Sequence, residues 1–66
     1  MRIIVNGNEQ QITAHTSISA LLETANIDPE QVVTELNGLI IAPEHYEETH
    51  LNNGDTIELI QFVGGG

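Results

Sequence analysis

The chain has 66 residues, 39% of them apolar, with ten Asp and Glu against one Arg or Lys, Arg2, and a formal net charge of −9. That length permits one small domain burying about 60% of its unfolded surface, and the charge excludes nucleic-acid binding through phosphate neutralisation. The absence of cysteine also excludes a disulfide frame, a thiolate metal site and a sulfur nucleophile of its own.

The first predicted strand, Arg2-Ile3-Ile4-Val5-Asn6, is β-branched and ends at Asn6-Gly7, a hairpin-turn dipeptide. Glu9 to Thr13 reads as the returning strand. Ser17 is the expected N-cap of a helix on which Ile18, Leu21, Leu22 and Ala25 fall at i, i+3, i+4 and i+7. These make one apolar face, with Ser19, Glu23 and Thr24 turned away. Asn26 is the expected stop, and Asp28-Pro29 is expected to prevent resumption. Gln31 to Leu36 and Leu39-Ile40-Ile41 read as two strands around a second hairpin-type turn, Asn37-Gly38. Pro43 suits a first helical position and predicts one helical turn over Pro43-Glu44-His45-Tyr46. Thr49 to Asn53 is a connection closed by the turn Asn53-Gly54. Thr56 to Val63, long and apolar, is expected to be the central strand. This order predicts an α+β fold, a mixed sheet of four to five strands with one amphipathic helix packed on one face.

One helix covers only one face of such a sheet, so strand alternation has a consequence for the other face. Ile57 and Leu59 point to the core, while Glu58, Ile60 and Phe62 share the opposite side. In the first strand Ile3 and Val5 point inward, leaving Arg2 and Ile4 outward. If the first and last strands are neighbours, Ile4, Ile60 and Phe62 share an exposed apolar surface suited to a partner. The competing reading folds Phe62 over an edge into the core.

Other chemistry is sparse. His15, His45 and His50 lack the spacing of a metal set, and Glu47-Glu48 and Asp28/Glu30 read as solvated surface. No hydroxyl sits in an activating motif, and no glycine loop precedes a helix to cradle phosphate. The chain is expected to catalyse nothing by itself and to hold no metal. With no long apolar run and no charged-then-apolar leader, neither a membrane span nor a secretory signal is expected, and the expected compartment is the cytoplasm. The acidic surface suits either encounter with basic proteins or simple solubility.

The expected organisation is a domain over residues 1–63 and a flexible glycine tail over 64–66. No strand or turn requires these glycines, since each loses much conformational freedom on ordering. A tail without Cβ atoms can instead thread a narrow channel, and at roughly 3.3 Å per residue it projects the Gly66 carboxylate about 10 Å beyond the domain. A frayed end or an expression scar has the same composition. With no lysine, the protein cannot build chains on its own side-chain amines.

The run Gly54-Asp55-Thr56-Ile57-Glu58-Leu59-Ile60-Gln61-Phe62-Val63-Gly64-Gly65-Gly66 resembles the end of the ThiS family, the sulfur carriers of thiamine biosynthesis. The starting strand with Asn6-Gly7, the helix carrying Leu21-Leu22, and Asn37-Gly38 followed by Leu39-Ile40-Ile41 extend the resemblance over essentially the whole chain. It implies the ubiquitin-like β-grasp fold. The family needs only the last two glycines, which makes Gly64 a spacer.

The resemblance further implies that the Gly66 carboxylate is adenylated by an adenylyltransferase resembling ubiquitin-activating enzymes. ATP and magnesium belong to that enzyme, and this chain binds no cofactor. A persulfide donor of the cysteine desulfurase type then converts the acyl-adenylate to a thiocarboxylate, whose sulfur passes to thiazole synthase. Gly66 bears the cargo, Gly64 and Gly65 give access to partner active sites, and Ile4, Ile60 and Phe62 hold the carrier on its partners. Two other resemblances stay open. One is the small subunit of molybdopterin synthase, usually longer and with a tail unlike Phe62-Val63-Gly64. The other is a ubiquitin-like protein modifier or a non-covalent interaction domain.

Overall fold

Two Asn-Gly dipeptides reverse the chain. Asn6 and Gly7 have φ of 49° and 83°, and Asn37 and Gly38 have 50° and 87°. Left-handed conformation at both central positions closes two-residue hairpins whose twist matches that of the flanking strands. The first joins β1 (Arg2–Val5) to β2 (Asn8–Gln11), and the second joins β3 (Val32–Leu36) to β4 (Leu39–Ile41). The computed structural model describes residues 1–62, so Val63, expected in the last strand, and the expected glycine tail lie outside the described residues.

The last strand, β5 (Thr56–Gln61), lies between the two hairpins, parallel to β1 and antiparallel to β3. The sheet order is β2-β1-β5-β3-β4. This is the β-grasp topology, with the most C-terminal strand at its centre. Between the hairpins the chain forms α1 (Ile18–Thr24), and 3-10 turns occupy Pro29–Gln31 and Pro43–His45. The α-helix does not resume past Asp28-Pro29, and Pro29 begins a separate 3-10 turn. Asp28 caps it by accepting the Glu30 N–H at 2.9 Å, and proline at the first position lacks an N–H that would have no partner there. For that reason β3 starts at Val32 and not at Gln31. No helix among the described residues is long and apolar enough to cross a membrane.

Although α1 is only seven residues long, both its ends are closed. Ser17 Oγ accepts the Ala20 N–H at 3.0 Å. The N–H groups of Ile18 and Ser19 donate to the carbonyls of Thr49 and Tyr46, each at 3.0 Å. Tying these first amides to the 46–49 loop removes an exposed-donor cost that so short a helix could not carry alone. At the other end Asn26 takes φ of 60°, the Ile27 N–H reaches the Leu22 carbonyl at 2.9 Å and the Asn26 N–H reaches that of Glu23 at 3.1 Å. This is a Schellman closure, which stops the helix one residue short of the expected apolar face. Ala25 becomes the C-cap and is exposed, and Ile27 packs against the core in its place.

The core joins Ile18, Leu21 and Leu22 of α1 to Ile3, Val32, Ile57 and Leu59 on the inner face of the sheet. Tyr46 and Leu51, from the connection between β4 and β5, are also buried, at 3% and 2% exposure. That connection is thus a third wall of the core, held by the Leu51 N–H to the Thr16 carbonyl at 2.8 Å.

Side-chain amides complete the pairing of β5. Backbone bonds from Ile4 and Asn6 reach the carbonyls of Asp55 and Ile57 at 2.9 and 3.0 Å. Where β1 ends, the Asn6 amide continues the ladder. Its Oδ1 accepts the Leu59 N–H at 2.7 Å and its Nδ2 donates to the Leu59 carbonyl at 3.2 Å. On the other edge Asn37 Oδ1 accepts the Thr56 N–H and its Nδ2 donates to Asp55 Oδ1, both at 2.9 Å.

Replacing Asn6 by Ala removes two hydrogen bonds and forces Ala into the left-handed region, for an expected loss of about 2–3 kcal/mol in urea unfolding. Asn6→Gly restores the backbone freedom but not the bonds and should lose about 1–2 kcal/mol. Equal losses for the two would show that the turn conformation contributes nothing. Leu59→Ala on the inner face should cost about 2–5 kcal/mol, and Ile60→Ala on the outer face no more than about 1 kcal/mol. Similar costs for both would contradict the assignment of faces.

Candidate functional site

The expected site lies at the C-terminal end of β5, and the fold holds that end firmly. The Phe62 N–H donates to the Gln31 carbonyl at 2.9 Å, so pairing with the β3 side continues to the last described residue. Gly64, Gly65 and Gly66, expected to carry and present the cargo, lie outside the described residues.

The face of the sheet away from α1 is open. Ile60 and Phe62 are 54% and 55% exposed, and both project from β5 on the side opposite buried Ile57 and Leu59. Phe62 is therefore not folded into the core. Ile4 is on the same face, at 37% exposure, but it pairs with Thr56. It stands four positions from Ile60 along β5, about 13 Å at roughly 3.3 Å per residue. The first and last strands are neighbours, as the shared surface required, but their parallel register puts Ile4 at the opposite end from Ile60 and Phe62.

Ile60 instead has Val33 as its cross-strand neighbour, and Glu58 has Glu35. Glu35 in turn pairs with Ile40 of β4, which is 71% exposed. The outer face thus holds Ile60, Phe62, Val33 and Ile40 around two directly opposed carboxylates. Alternation in β3 separates Val33 and Glu35 from Val32 and Thr34, so the sequence does give their side of the sheet. Their position beside Ile60 and Glu58 depends on strand order and register, which no local pattern specifies.

Arg2 also projects from this face, at its far end, where Nη1 lies 3.7 Å from Glu9 Oε1. The histidines stay apart, on a turn at His15 and on the β4–β5 connection at His45 and His50, where His45 Nδ1 faces Glu48 Oε2 at 3.4 Å. Among the described residues no group of three or more His, Asp or Glu is placed to hold a metal ion. Two open clefts flank α1, one against Ile27–Pro29 and one against Gln10–Thr13.

The ThiS family model matches residues 3–66. The sulfur carrier protein ThiS of Bacillus subtilis (strain 168) is 36% identical over 63 residues, spanning 94% of this chain and 96% of that protein. Thiazole synthase of Paramagnetospirillum magneticum is 33% identical over 66 residues, all of this chain but 20% of that protein, and that of Magnetococcus marinus matches over the same shares. This chain therefore spans only 20% of the length of those two relatives. Among solved structures, the crystal structure of the thiamine biosynthesis protein ThiS from Geobacter metallireducens superposes with a TM-score of 0.85 at 30% identity, each chain covered completely. A family match from the first strand through the terminal glycines, on the same β-grasp topology, places this chain in the ThiS family.

Proposed function

We propose that the protein carries sulfur on its C-terminus as a thiocarboxylate for assembly of the thiazole of thiamine. The observation that carries this reading is the extent of the family match, which runs through the terminal glycines to Gly66. A central strand paired as far as Phe62 supports it, because such a strand gives the glycines a fixed point of departure.

A carboxylate is a poor electrophile, since expelling oxide from it is unfavourable. In the proposed sequence one oxygen of the Gly66 carboxylate attacks the α-phosphorus of ATP on an adenylating enzyme, releasing pyrophosphate and forming an acyl-adenylate. The terminal sulfur of an enzyme persulfide attacks the acyl carbon and expels AMP, leaving an acyl disulfide. A thiol then attacks the donor-side sulfur, forming a disulfide and releasing the thiocarboxylate on Gly66. ATP is the substrate and magnesium the metal of the adenylating partner, and this chain supplies the acyl group and the surface that docks it. Gly64 and Gly65 give the acyl group passage into active sites closed to side chains. Ile60 and Phe62, beside the point of departure, hold the carrier on its partners.

Thiazole synthase is the proposed acceptor, supported by two thiazole synthases that each match this whole chain over 20% of their length. The cytoplasm is the proposed compartment, where ATP and persulfide donors are present together.

Intact-mass analysis tests the reading directly. After incubation with the adenylating enzyme of the same organism, MgATP, cysteine and a cysteine desulfurase, the chain should gain the mass difference of one sulfur replacing one oxygen, localised to the C-terminal peptide. A chain ending at Gly65 should gain nothing. An unmodified full-length chain, or one recovered in isopeptide linkage to lysines of other proteins, would refute the carrier assignment.

A further inference from the structure

The outer face of the sheet combines exposed apolar side chains with a charge arrangement that the chain cannot neutralise internally. Glu35 and Glu58 are directly opposed on adjacent antiparallel strands, which brings their Cβ atoms to about 5 Å and makes the pair repulsive. Arg2 is the chain's single Arg or Lys, and it faces Glu9 beyond the β1 end of the face. Ile40 flanks Glu35 in the same row on the β4 side, and Val33 and Ile60 form the next pair toward the C-terminal end of β5, with Phe62 following Ile60.

We propose that this face seats a basic protein surface, with an arginine of the partner lying between Glu35 and Glu58 and apolar groups of the partner covering Val33, Ile40, Ile60 and Phe62. The proposal rests on the carrier reading in naming the adenylating enzyme as that partner. Charge complementarity selects the occupant. A second copy of this chain, at −9, would add carboxylates to carboxylates, and an anionic lipid or nucleic-acid surface would do the same. A planar guanidinium presents donors on two edges and can bond two carboxylates held side by side, whereas an ammonium offers no such fork. The strands fix both glutamate backbones in advance, so little backbone order remains to be gained on binding. Covering the apolar rim lowers the local dielectric and strengthens the charged contact. Because the acidic pair also acts at a distance, association should weaken with salt.

The test is calorimetric titration of the full chain into the adenylating enzyme of the same organism over a series of salt concentrations, with pyrophosphate exchange measured in parallel. Glu35→Gln combined with Glu58→Gln should raise Kd by about tenfold or more and flatten its salt dependence. The same variant should unfold at higher urea than wild type, since a repulsion is removed, which separates lost docking from lost folding. A control pair, Glu44→Gln with Glu47→Gln, removes the same formal charge from the β4–β5 connection and should change Kd by less than about twofold. Wild-type Kd and salt dependence in the first variant, or an equal loss in the control, would overturn the proposal. If exchange proceeds while the Glu35/Glu58 variant keeps its KM, docking through these residues is refuted and the carrier reading stands. If binding depends on the pair but no sulfur is loaded, the carrier reading fails and the docking face stands. Absence of any binding by the wild-type chain overturns both.

Discussion

The pairing of β5 along both edges is the constraint on which the structure depends. On one edge β3 supplies a continuous antiparallel ladder, extended by the Phe62 N–H to the Gln31 carbonyl. On the other, β1 pairs only near Thr56 and Ile57 before turning away, and the Asn6 amide takes over at Leu59. Unpaired polar backbone at the centre of a sheet would be costly. A side chain standing in for the missing length of β1 lets the first hairpin stay short while the last strand runs past it. That overhang carries Ile60 and Phe62 past the end of β1, to the last of the described residues.

The rest of the chain compensates for small size. Seven helical residues have little intrinsic stability, yet Ser17, the carbonyls of Thr49 and Tyr46, and the Asn26–Ile27 closure satisfy both ends. The β4–β5 connection, with a 3-10 turn at Pro43–His45 and a β-bridge from His50 to Ser17, places Tyr46 and Leu51 in the core. All of this apolar burial is on one side of the sheet. The other side keeps exposed apolar groups and opposed carboxylates, the arrangement on which the proposed docking rests.

Much of this architecture was legible in the sequence, because local chemistry specified it. Asn6-Gly7 and Asn37-Gly38 announced hairpins, Ser17 the helix start and Asn26 its end, and the length and apolarity of the last strand its central place. The differences arise where tertiary geometry overrides spacing. Ala25 fits the helical period but follows the last helical residue, and Ile27, outside the period, is turned inward by the closure. Pro29 reads as a barrier to α1, which does not resume, and it also begins a 3-10 turn that the sequence reading lacked, because the residue before it is a capping aspartate. The grouping of Ile4 with Ile60 and Phe62 required the register of two strands far apart in sequence, and parallel pairing of Ile4 with Thr56 sets them well apart on the common face. Val33, Glu35 and Ile40 could be placed beside Ile60 and Glu58 only once β5 was known to lie next to β3 and β3 next to β4.

Placing the most C-terminal strand between two hairpins also orders events at the ribosome. While the residues before Thr56 emerge, each hairpin can close on its own, but nothing joins them, because the strand that bridges them has yet to be made. Such long-range closure is slow relative to local pairing, and synthesis at about 5–20 residues per second leaves the helix without the Ile57 and Leu59 surface until β5 has followed. A nascent chain cut short before Thr56 has no middle to its sheet and remains open to proteolysis. The architecture thus ties acquisition of a protected fold to the synthesis of β5.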